Sequence, residues 1–102
     1  MALWAPLQKG ESMLFMVIER FRAGNAPDVY RRFRDRGRMA PDGVRYIASW
    51  VDLDFQRCFQ LMEAEDETML KAWTNNWNDL VDFEIVPVHT SDQAAAAIAP
   101  RL

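Results

Sequence analysis

Two glutamates are the first residues in this 102-residue chain to suggest chemistry. Glu19 and Glu63 each lie towards the end of an apolar run of strand length, residues 13–21 and 56–63. A charge buried there without a partner would cost several kcal/mol. Each glutamate therefore needs a neighbour, and Arg20, Arg38 and Arg57 are close enough in sequence or in the expected fold to supply one. A salt bridge that serves only the fold is the commoner outcome, and an acid–base role in a cleft is the functional one. Tyr46 and Trp50 share one parity of an expected strand, so they should fall on one face and could line a cavity, although aromatic stripes mostly fill cores. His89 is the single histidine, so histidine-rich metal sites are ruled out and any Ser-His-Asp arrangement would have to be built around it. Glu19, Arg38, Tyr46, Trp50, Glu63 and His89 are thus the candidate ligand-binding residues. They define no catalytic set and no metal site.

The remaining reactive groups point to less. Cys58 sits inside a strand pattern beside Phe59, where an inert buried thiol is the usual outcome, since a reactive one needs exposure and a nearby positive charge. Asp52 and Asp54 flank an expected hairpin turn without the rest of a calcium loop. The four glycines, at 10, 24, 37 and 43, form neither a phosphate loop nor a dinucleotide fingerprint, so no cofactor is implied.

The elements that must position these groups follow from period and punctuation. Residues 13–21 are apolar on both parities and rich in bulky side chains, which reads as a strand. Gly24-Asn25 ends it, Asn25 can cap a helix, and Pro27 suits a first turn. The helix should run from about 26 to 36, with Ala26, Val29, Tyr30 and Phe33 in one buried stripe and Gly37 as its stop. Pro41-Asp42-Gly43 should turn sharply into a second strand, residues 44–51. A short loop, 52–55, then leads to a third strand over 56–63. Asp66 can cap a second helix over 67–77, with Met69, Leu70, Trp73 and Trp77 on one stripe. The fourth strand, 81–89, contains Pro87, which cannot donate a ladder hydrogen bond and so belongs at a sheet edge. Ser91 can cap a short helix over 94–98.

The order is βαββαβ, an α+β domain of one hydrophobic core, which a chain of this length can fill once but not twice. Residues 1–12 have no clear period and are expected to be a flexible extension, with Met13 a possible natural start. The domain is expected over 13–90, and 91–102 form a short C-terminal helix and tail. Half of the residues are apolar and 26% are charged, as in an ordinary globular protein. A net charge of −3 argues against an extended nucleic-acid surface. No run approaches the ~20 apolar residues of a membrane helix, the first ten residues show no basic start and no apolar run of signal length, and a lone cysteine allows no intramolecular disulfide, which makes cytoplasm the default expectation. Charge is unevenly spread. Residues 20–45 hold eight arginines against three aspartates, and residues 52–84 hold nine acids against Arg57 and Lys71. These halves are either two solvated faces or surfaces that attract each other within or between chains.

Taken together, Met-Leu-Phe-Met-Val-Ile-Glu at 13–19, Gly37-Arg38-Met39 with Pro41 and Gly43, Ser49-Trp50, Arg57-Cys-Phe-Gln-Leu-Met-Glu63, and the run from Asp79 to Val88 resemble a bacterial family known as domain of unknown function 3303. The resemblance covers about residues 13–90, in several blocks in the right order. It implies a ferredoxin-like fold of the dimeric α/β-barrel type: a four-stranded antiparallel sheet with two helices on one face. Relatives of that type include cofactor-free monooxygenases, small isomerases, haem enzymes and proteins with no known reaction, so it carries over no catalytic residue.

Three functions are then open. The first is a homodimer, joined through the sheet face away from the helices, that binds a small, partly apolar molecule. The second is a cofactor-free monooxygenase-like or isomerase-like enzyme acting on a small aromatic or polyketide-like substrate. The third is a structural assembly module. The dimer is expected because the first strand offers apolar side chains to both faces, and a single layer of helices covers only one. The main rival cover is the C-terminal helix, whose alanines offer little area.

Overall fold

The computed structural model describes residues 12–102. The extension expected over 1–12 therefore lies, apart from Ser12, outside the described residues. The elements are β1 (Met13–Phe21), α1 (Ala26–Arg36), β2 (Arg45–Val51), β3 (Arg57–Ala64), α2 (Glu67–Thr74), β4 (Val81–Val88) and α3 (Ser91–Ile98), followed by a single 3₁₀ turn over Ala99–Arg101. The four strands form one antiparallel sheet in the order β2-β3-β1-β4. This is the βαββαβ arrangement expected, and Pro87 does lie on an edge strand.

Odd-numbered residues of β1 and even-numbered residues of β3 face the helices. Phe15, Val17, Met62 and Ala64 are almost wholly buried there, and they cluster with Val29 of α1 and Leu70 and Trp73 of α2. The partly covered Met69 and Phe83 extend this core. Among the described residues, no helix is long and apolar enough to cross a membrane.

Local signals set most of the element ends. Asp66 caps α2 by accepting a hydrogen bond from the Met69 N–H at 3.2 Å. Gly37 ends α1 with φ +69° and ψ −161°, its N–H donating to the Phe33 carbonyl. Asn25 holds the N-cap position of α1 but makes no side-chain cap bond. The second helix stops at Thr74, and Trp77 packs from the turns that follow, where Asn76, Trp77 and Leu80 donate to carbonyls three residues back. The last helix is capped by Thr90, not Ser91, in a reciprocal pair with Gln93. Tyr30 and Phe33, expected in a buried stripe, are each 41% exposed because they stand at an opening between α1 and the sheet.

The largest correction concerns β2. A bulge between Tyr46 and Ala48 shifts its register against β3. An extra residue reverses the side-chain alternation. Tyr46, opposite Met62, therefore faces the helices, whereas Trp50, opposite Phe59, faces away. The two do not share a face.

Candidate functional site

Glu19 occupies the third inward position of β1 after Phe15 and Val17, and it is as buried as the core around it, at 7% exposure. Its strand neighbours are Cys58 on β3 and Phe83 on β4. Gln60, the next inward residue of β3 and itself buried, donates from Nε2 to Glu19 Oε2. The amide oxygen of Gln60 accepts from Arg38 Nη1 at 2.5 Å. An arginine can only donate, so Arg38 fixes which end of the amide it meets and turns the NH₂ towards Glu19. Burial pushes the Glu19 carboxyl up from its ordinary 4.5 to about 7, a rise held in check by Gln60, the positive charge of Arg38 and a bond from Cys58. The same burial, with Glu19 beside it, pushes the Cys58 thiol up to about 12. A thiol so shifted keeps its proton at neutral pH, and the thiolate is the reactive form.

Arg38 is held by an unusual stretch of backbone. It lies between Gly37 and Met39, both with positive φ, at +69° and +59°. A left-handed methionine is uncommon and has to be maintained by its surroundings. The indole N–H groups of Trp73 and Trp77 both donate to the Arg38 carbonyl at 3.0 Å, and Asn76 Nδ2 donates to the Met39 carbonyl at 3.1 Å. The α2 region thereby clamps the α1–β2 link. Above it, the guanidinium carbon lies 3.8 Å from the Tyr46 ring centre and 5.1 Å from that of Phe33, within cation–π range. The bulge in β2 turns Tyr46 inward to make this contact, and its hydroxyl shares a 2.9 Å hydrogen bond with Ser49.

Glu19, Gln60, Arg38 and Ser49 border a cavity of about 200 Å³ between the sheet and α1. Phe21, Val29, Tyr30, Phe33, Val51 and Trp73 give it apolar and aromatic walls, and Glu19, Arg38, Ser49 and Gln60 supply its polar side. The arrangement suits a molecule about the size of one aromatic ring, since a cavity of about 150 Å³ holds benzene. Its carboxyl is also set near the range in which an acid can both donate and accept a proton.

Of the sequence candidates, the fold brings Glu19, Arg38 and Tyr46 together and disperses the rest. Glu63 faces the other side of the sheet and pairs with Arg45, which is not among the partners expected, with Arg45 Nε to Glu63 Oε1 at 2.7 Å. Hydrogen bonds from Arg45 and Ser12 hold its carboxyl below the usual range. Trp50 lies on that open face as well, and His89 is exposed just past the end of β4. Gln60 is the functional residue the sequence argument missed. Its signal was legible: it is the polar member of the inward series Cys58, Gln60, Met62, Ala64.

Attraction between the oppositely charged halves is satisfied within the chain: Arg20 meets Glu84, Arg22 meets Asp82, Arg32 meets Asp79 and Arg45 meets Glu63. Arg32 holds the Asp79 carboxyl down to about 2. Asp52 accepts from the Gln56 and Arg57 N–H groups, as a turn aspartate does. Among the described residues, no three His, Cys, Asp or Glu side chains gather to hold a metal.

Fold and site together define a ferredoxin-like α+β domain with a buried Glu-Gln-Arg relay at the edge of an apolar cavity. The sequence model of Domain of unknown function (DUF3303) matches residues 13–102, and the chain belongs to that family. The match includes α3. No curated protein and no solved structure matches the chain.

Proposed function

We propose that this protein binds a small, partly apolar molecule in the cavity beneath α1. The observation that carries this is Glu19, a carboxyl kept in a nearly dry wall at a cost to stability when Val or Leu would fill the place for nothing. Buried ionisable groups with strongly raised pKa values beside a cavity are a feature of functional sites. The test is a thermal-shift and calorimetric screen of ring-sized compounds against the wild type and Val51→Phe, which fills the cavity from β2. Ring-sized probes should stabilise the wild type and lose their effect in the variant. Binding indifferent to Val51→Phe would move the site elsewhere, and no binding by any probe would leave the assembly-module function in its place.

A catalytic function draws on the same carboxyl. With its pKa near 7, Glu19 is suited to take a proton from carbon next to a carbonyl and return it, as a cofactor-free isomerase would. Deuterium exchange at such a carbon in a bound ketone, abolished by Glu19→Gln, supports turnover. Exchange that persists in the variant sinks it.

The assembly we propose is a homodimer through the open sheet face. Met16, Ile18, Leu61, Val86 and Trp50 lie on that face, uncovered by α1 and α2. None of the residues of α3 is buried, so it does not serve as the cover. The charges bordering the face are already paired, Arg20 with Glu84 and Arg45 with Glu63. The surface is thus apolar and locally neutral, which suits an identical copy related by a two-fold axis. Light scattering should give twice the chain mass of 11.9 kDa, and Met16→Lys should halve it. A well-folded wild-type monomer at low micromolar concentration refutes the dimer.

A further inference from the structure

We propose that the ligand is a small organic monoanion, a ring-sized carboxylic acid whose carboxylate pairs with Arg38 while its ring lies against Tyr30, Phe33 and Trp73. This rests on the ligand-binding function above and names its ligand class. Arg38 is distinctive among the arginines of its segment. Arg20, Arg22, Arg31, Arg32, Arg34 and Arg45 each meet a carboxylate at the surface, and Arg36, which meets none among the described residues, is exposed at the end of α1 and does not line the cavity. Arg38 is half-buried at the cavity, and its one side-chain hydrogen bond among the described residues goes to the neutral amide of Gln60. A guanidinium has five N–H donors in a fixed fork that matches a carboxylate. One donor is used by Gln60, and the others have no acceptor among the described residues.

The nearest acid does not take that place. Glu19 lies beyond Gln60, bonded to the far end of the same amide, and its burial keeps it largely protonated below neutrality. Below neutrality the cavity therefore carries the positive charge of Arg38, which no described group cancels by contact. Its geometry is also set in advance. The Arg38 carbonyl is clamped by two indoles, and its guanidinium lies on Tyr46 and beside Phe33. Such preorganisation lowers the cost of binding. A volume of about 200 Å³ leaves room for one ring and one carboxylate.

The two acids, one from the protein and one from the ligand, then compete for one cation. Ionised Glu19 would neutralise part of the Arg38 field and repel the ligand, so the anion binds the protonated form. The other titratable or charged groups facing Glu19 are Arg38 from the α1–β2 link, Cys58 from β3 and Tyr30 from α1. The neighbouring β4 and α2 present Phe83 and Trp73. With Cys58 and Tyr30 held in their neutral forms well above pH 7, Glu19 is the group whose proton follows the ligand.

Isothermal titration of the full chain with benzoate and with benzyl alcohol, from pH 5.5 to 8.5, tests this. Benzoate should bind at least tenfold more tightly than the alcohol at pH 6. Its affinity should fall above pH 7, approaching about tenfold per pH unit as one proton is taken up with the ligand. Glu19→Gln should bind benzoate without that pH dependence, and Arg38→Met should lose the preference for benzoate over the alcohol. The wild-type comparison alone decides the charge preference should Arg38→Met fail to fold. Equal affinity for benzoate and benzyl alcohol overturns the anion class while leaving the cavity as a binding site. Binding of neither overturns both.

Discussion

Replacing Glu19 with glutamine keeps the shape of the side chain and an oxygen to accept from Gln60, and removes the titration together with one of the two acceptor oxygens. In the folded chain the carboxyl takes up its proton at about 7, against 4.5 ordinarily. This is a raised pKa, so the folded state holds the proton more tightly than the unfolded state does. Below pH 4.5 both states are protonated and the site costs nothing on this account. As pH rises from 4.5 to 7, the unfolded chain ionises first and stability falls, and above 7 the loss is complete. Each pH unit between the two values corresponds to about 1.4 kcal/mol, so the full loss is about 3 kcal/mol. For a domain of this size that corresponds to a melting-temperature difference of more than about 10 °C. Urea unfolding of wild type and Glu19→Gln from pH 4 to 8.5 measures it. The wild type should weaken across the window, the variant should stay flat, and the variant should be the more stable at pH 8. Asp79, Asp52 and Glu63, whose pKa values are lowered, lose their contributions only in acid below this window. Two parallel stability curves would refute the account of a carboxyl buried largely protonated.

Two further outcomes follow from the same geometry. Cys58, with its thiol pushed up to about 12, should react with a thiol reagent at pH 8 about a thousandfold more slowly than free cysteine until the chain unfolds; a rate matching the free amino acid would mean that the strand is open. Gly37→Ala should cost about 1–3 kcal/mol in urea unfolding, because φ +69° with ψ −161° is a region that glycine alone enters freely. Empty space surrounds the position, so a cost under half of that range would mean that the link to Arg38 adopts another backbone.

What the sequence determined by itself was local. Apolar side chains on both parities of residues 13–21 made a central strand, the 3.6-residue period from Ala26 to Phe33 made α1, and Asp66, Gly37 and Pro41-Asp42-Gly43 marked a helix start, a helix stop and a turn. Pro87 marked an edge, since a residue without an N–H cannot sit between two strands. Each of these depends on a few consecutive residues, and the fold follows from their order. The site was only half legible. A glutamate in an apolar strand signals that something must meet it, but not what, because its partner comes from another strand and that strand's register decides which residue is opposite. Tertiary structure decided that Gln60 would stand between Glu19 and Arg38, that Arg45 would take Glu63, and that Trp73 and Trp77 would clamp one carbonyl 35 and 39 residues before them in the chain. One extra residue in β2 turned Tyr46 onto Arg38 and Trp50 onto the opposite face. Periodicity cannot locate such a bulge, since the side chains either side of it obey the same alternation and only the pairing with β3 fixes where the alternation breaks.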